Sequence, residues 1–64
     1  MEVRVGSLWK HKETGEGVVV RYLGISKDIN NTEVDVAGTL SDSGRSYVYS
    51  HKAIVKYFDE VDDV

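Results

Sequence analysis

The chain contains no cysteine, so neither a disulfide framework nor a thiolate zinc site is open to it. Proline is also absent, which leaves six glycines to punctuate the chain. No apolar run approaches the roughly 20 residues that a membrane-spanning helix needs. The opening MEVRVGSLWKHK carries an acid at Glu2 and has no apolar h-region, so it does not read as a secretory signal. A cytoplasmic protein is therefore expected, and the glycosylation-like Asn30-Asn31-Thr32 is then accidental. At 64 residues there is room for one domain only. Such a chain buries only about 60% of the surface its unfolded form exposes. Without disulfides or thiolate zinc, its support must come from a well-packed core or from a partner chain.

Positive charge is in the minority. Eight Lys and Arg face eleven Asp and Glu, for a net charge of −3. Residues 1–27 hold five bases (Arg4, Lys10, Lys12, Arg21, Lys27) against three acids, whereas residues 28–64 hold three bases against eight acids. Four of those acids fall in the final DEVDDV. This balance argues against general DNA binding, which rests on phosphate neutralisation, but permits a local basic face.

What is present reads as strands joined by glycine turns. Val3 and Val5 alternate with Glu2 and Arg4 in a short extended entry, interrupted by Gly6-Ser7. Leu8–Lys12 alternates, with Trp9 and His11 on one face and Leu8, Lys10 and Lys12 on the other. Glu13–Gly17 is a turn. Val18–Leu23, with three successive β-branched residues, is the strongest strand, and Gly24 is expected to end it. Ser26–Asn31 is a polar loop linking two hairpins. Thr32–Leu40 alternates, placing Val34, Val36, Gly38 and Leu40 on one face, expected to be the core face, and Glu33, Asp35 and Thr39 on the other. Ser41–Gly44 is a turn leading to Arg45–Ser50, where Val48 facing the core would leave Tyr47 and Tyr49 outside. Over residues 51–59 the period changes. Ala53, Ile54, Tyr57, Phe58 and Val61 fit helical spacing, and Ser50 is suited to cap them, so a short helix or 3₁₀ turn is predicted. A strand reading would bury Val55 in place of Ile54.

Four or five short antiparallel strands in so short a chain are too few for an ordinary sandwich, and a small bent barrel limits exposed edges. The stretch Trp9-x-His11-x-x-Thr14-Gly15, the Val-rich strand after it, and the ending "YVYS…IVKYFDEV" resemble small SH3-like proteins of bacteria and their phages. That resemblance covers most of the chain. It implies a mainly β, SH3-like barrel over residues 1–58, built as two hairpins and a closing short helix, followed by an acidic tail over 59–64. It also implies a bacterial or phage origin and a binding role. Trp9, Gly15 and Phe58 would be structural positions, and no catalytic residue carries over.

Two clusters are candidates for contact with a partner. Trp9 and His11, with Lys10 and Lys12, could form a stacking patch for nucleic acid or an acidic partner. The preferred reading is that Trp9 fills the core, because one large aromatic supplies so much of a small core's area. Tyr47 and Tyr49 share a strand face beside Arg45, with Tyr22 on a neighbouring strand. Tyr and Arg are enriched at protein interfaces. The plainer reading is an aromatic pair covering the sheet. The acidic tail with Asp35 and Asp42 could imitate nucleic-acid charge, though a solvated end is the ordinary reading.

Catalysis has little support. Ser50 and His51 are chain neighbours that point apart, not a nucleophile with an oriented base. His11 and His51 make no metal motif. Gly15-x-Gly17 lacks the Lys-Ser/Thr and the helix of a phosphate loop. The expectation is a non-enzymatic protein-binding module without cofactor, metal or membrane attachment, acting through Tyr47, Tyr49, Arg45 and Tyr22, with Trp9 and His11 second. Its rivals are a nucleic-acid-binding barrel using Lys10, Lys12, Arg21 and Arg45, and a structural subunit of a homo-oligomeric assembly.

Overall fold

A computed structural model describes residues 3–61 of the chain. Its elements run β1 (Leu8–His11), β2 (Gly17–Lys27), β3 (Glu33–Ser41), β4 (Ser46–Ser50), α1 (His51–Tyr57) and β5 (Phe58–Val61). The five strands form one antiparallel sheet in the order β4-β3-β2-β1-β5, and the sheet is not closed, so β4 and β5 are its edges. The class is mainly β with one short helix, as expected.

Trp9 decides which face of the sheet is inside. It is wholly buried and stands opposite Val18 in the β1–β2 ladder. Paired residues lie on the same face. Val18 and then Val20 therefore turn inward, and their β3 partners Ser41 and Thr39 must follow. Thr39 in turn brings Tyr47 to that side, and Ala37 brings Tyr49. Two expectations are thereby reversed. Val34, Val36 and Leu40 do share a face, but it is the outer one, where each is only half-buried. Val48 is 58% exposed, while Tyr47 and Tyr49 lie half-buried on the core side. The area gained by hiding one indole outweighs what those smaller side chains would gain inside.

The core is Val3, Trp9, Val18, Val20, Ala37, Ile54 and Phe58, with Tyr49 packed against it. Its polar members are satisfied: Trp9 Nε1 donates to Ser7 Oγ at 2.9 Å, Thr39 Oγ1 donates to the Tyr47 carbonyl at 3.2 Å, and Ser41 Oγ accepts from the Arg45 N–H at 3.0 Å. On the outer face the cross-strand neighbours Val61, Leu8, Val19 and Leu40 make an apolar row.

Gly24 does not end β2, which runs on to Lys27. A bulge between Val20 and Tyr22 shifts the register, so Tyr22 turns outward and Leu23, Ile25 and Lys27 continue on the core side. The Ser26–Asn31 stretch is thus not a link between separate hairpins. It is the tip of a long β2–β3 hairpin, closed by Asp28 Oδ1 accepting from the N–H groups of Asn30 and Thr32. Asn31 there adopts φ 63°.

The helical reading of the C-terminal segment holds, over His51–Tyr57. Ser50 Oγ accepts from the Ala53 N–H at 3.1 Å, Ile54 is buried and Val55 is 42% exposed. Ser50→Ala should cost about 1 kcal/mol, read as a lower urea midpoint with an unchanged slope. Of the residues read as an acidic tail, Asp59, Glu60 and Val61 lie in β5, paired with Lys10, Trp9 and Leu8. Asp62 and Asp63 lie outside the described residues. No helix among the described residues is long and apolar enough to cross a membrane.

Candidate functional site

Because β4 turns its tyrosines inward, their rings meet side chains from the opposite edge of the sheet. The Tyr47 and Tyr49 centroids are 5.7 Å apart, Tyr49 meets Phe58 edge-on at 5.3 Å, and Phe58 meets His11 at 5.0 Å with planes 80° apart. Four rings therefore run from β4 across to β5 and β1. Edge-to-face geometry at these separations is favourable beyond simple burial. Phe58 is buried and anchors the run, whereas Tyr47, Tyr49 and His11 are only partly covered. The run spans the open side of the sheet, where no ladder joins β4 to β5.

Polar groups border the rings. His11 Nδ1 accepts from the N–H groups of Glu13 at 3.1 Å and Thr14 at 3.3 Å, so a neutral ring carries its proton on Nε2. Glu16, half-buried at the end of the β1–β2 turn, accepts from Ser43 Oγ at 3.1 Å. Arg45 is fully exposed, and its guanidinium is held protonated even more firmly than usual, first by side-chain hydrogen bonding to Tyr47, then by the negative potential of Tyr47 and Glu16. Burial raises the Tyr49 phenol above its ordinary 10.0, with smaller contributions from Tyr47 and Glu16. At neutral pH the strip thus presents the uncharged Tyr49 phenol with the Arg45 cation immediately before the same strand.

No protein-family model matches the chain, and no curated protein or solved structure matches it either. The strip must be read on its own chemistry.

The structure brings Tyr47, Tyr49, Arg45 and His11 together. It separates two others from them. Tyr22 lies on the outer face, 54% exposed, with its ring over Gly38. Trp9 is wholly buried beneath the sheet and offers no surface. Phe58 and Glu16 join the site without having been singled out for it. Phe58 reads in sequence as helix or structural residue, and Glu16 as one polar member of a glycine turn. Only the folding of that turn against Ser43, 27 positions away, brings Glu16 into place.

The lysines read as a basic patch share one acidic neighbour. Lys12 Nζ lies 3.9 Å from Asp59, and Lys10 stands opposite Asp59 in the β1–β5 ladder. Ser50 Oγ is committed to the helix cap. Among the described residues no group of three or more His, Cys, Asp or Glu could hold a metal ion.

Proposed function

We propose that this chain is a non-enzymatic, SH3-like protein-binding module of bacterial or phage origin, acting in the cytoplasm. Its contact surface is the strip of Tyr47, Tyr49 and His11, flanked by Arg45 and Glu16. The observation that carries this reading is the unbroken run of rings from β4 to β5 on the open side of the sheet. Tyrosines held by neighbours lose little conformational freedom on binding, and Tyr with Arg dominates the energetics of protein interfaces. The five antiparallel strands and the short helix before β5 support the SH3-like assignment. Asp59, shared by Lys10 and Lys12, favours a protein over a nucleic acid, since its carboxylate offsets part of the charge that phosphates would need.

Affinity capture from bacterial lysate with and without nuclease tests this, followed by calorimetry on the captured partner. Tyr47→Ala and Arg45→Ala should each weaken binding by about 1–3 kcal/mol while the circular dichroism spectrum stays unchanged. Capture that disappears with nuclease, affinity that falls steeply with salt, and loss on Lys10→Glu would together overturn the protein-binding reading.

A further inference from the structure

The β2–β3 hairpin reaches past the body of the sheet, and its β2 edge is bare. β1 pairs with β2 only at Gly17, Val18 and Val19, and the Gly6–Ser7 segment extends the contact to Val20. Beyond that point no strand among the described residues covers β2 on this side. The direction of the backbone groups along the arm follows from the ladder. Asp28 N–H donates to the Thr32 carbonyl, so even-numbered residues of the arm direct their N–H and C=O groups at β3. Leu23, Ile25 and Lys27 therefore direct theirs outward along the bare edge.

The side chains on this edge are apolar and uncovered: Leu23 is 45% exposed and Ile25 is 66% exposed. The stretch Tyr22–Lys27 has no proline and no bulge to interrupt strand pairing, and its one charged residue, Lys27, stands at its end.

We propose that this edge pairs with the same edge of a second copy of the chain, antiparallel across a two-fold axis at Ile25. In this register Ile25 faces Ile25 of the second copy, and Leu23 faces the aliphatic stem of Lys27. All the outward N–H and C=O groups of Leu23, Ile25 and Lys27 are then satisfied. Charge selects this register over its neighbour centred on Gly24, which would set Arg21 against Lys27 at both ends. The chosen register also carries the second copy's Ile29, fully exposed in one chain, to the level of Arg21. Val5, 61% exposed, lies close by, next to the Gly6 N–H that bonds the Val20 carbonyl. Self-pairing thus covers the apolar side chains that one chain leaves bare along this edge. It goes beyond the binding strip, which lies elsewhere on the sheet and is not used. Two short arms bury little against the roughly 1,200 Å² of a standard interface, so a weak dimer is expected.

The test is sedimentation equilibrium of the full chain from about 1 μM to 1 mM, the span in which weak complexes exchange. The expected result is a monomer–dimer equilibrium that Ile25→Lys abolishes, with an unchanged unfolding midpoint, and that Tyr47→Ala leaves intact. Because the chain has no cysteine, one introduced thiol reports the register. Residues facing each other in a bonded pair sit about 5.5 Å apart, within disulfide reach. Ile25→Cys should therefore oxidise to a covalent dimer about tenfold or more faster than Val48→Cys, since pairing raises the local concentration. A wild-type chain that stays monomeric at about 1 mM overturns the proposal, as do equal oxidation rates at the two positions.

Discussion

Trp9→Ala is expected to leave most of the chain unfolded under conditions where the wild type is folded. Removing a buried Trp side chain costs about 3–5 kcal/mol, from lost transfer energy and from the cavity left behind. Folded domains hold about 0.05–0.15 kcal/mol per residue in reserve, which for this length is about 3–10 kcal/mol in all. The site cannot collapse cheaply. Trp9 is hydrogen-bonded to Ser7 through its indole nitrogen, opposes Val18 and belongs to a cluster of seven buried apolar residues among those described, with no disulfide behind it. Amide dispersion in a proton–nitrogen correlation spectrum and urea unfolding followed by circular dichroism provide the readout. Val48→Ala, at a 58% exposed position, should stay within about 0.5 kcal/mol of wild type. A Trp9→Ala chain with the wild-type midpoint would remove the indole from the core, and with it the account of which sheet face is inside.

The second large effect is expected at Gly38. A Cβ built there would lie only 2.0 Å from the Tyr22 ring, which covers the glycine from the neighbouring strand. Gly38→Ala must therefore lift the tyrosine off the sheet. The ring loses its packing on the Gly38 backbone, at a cost of about 1–3 kcal/mol for forcing extra volume into a filled space. With Tyr22→Ala already present, the same glycine change should be neutral or slightly stabilising, because glycine inside a strand carries an entropic penalty relative to alanine. A double-mutant cycle of unfolding free energies reads this coupling directly. Additive effects would show that Tyr22 does not cover Gly38.

These two positions also mark how far local reasoning reaches. The glycine turns at Gly15 and Gly44, both with positive φ, are legible from composition, because side chains rarely adopt that backbone. So is the capped helix after Ser50, whose apolar period and cap agree. Trp9 as core is legible from its size alone. The partnership of Tyr47 with Tyr49 beside Arg45 follows from strand periodicity. Its joining with His11, Phe58 and Glu16 does not, because that depends on how the two sheet edges approach each other.

The amino-acid sequence by itself determined a small, cysteine-free, mainly β chain with glycine turns, one capped helix and a tryptophan too large to leave in water. Tertiary structure alone decided the facing of β3 and β4, the outward turn of Tyr22 and the placing of Asp59 beside both Lys10 and Lys12. The reason is geometric. A strand alternates its side chains whichever way it faces, and apolar residues stand at both phases of β2, β3 and β4. Choosing between the phases takes a cross-strand partner, and here the choice is passed from Trp9 through Val18 and Val20 to Ser41 and Thr39, and from Thr39 to Tyr47.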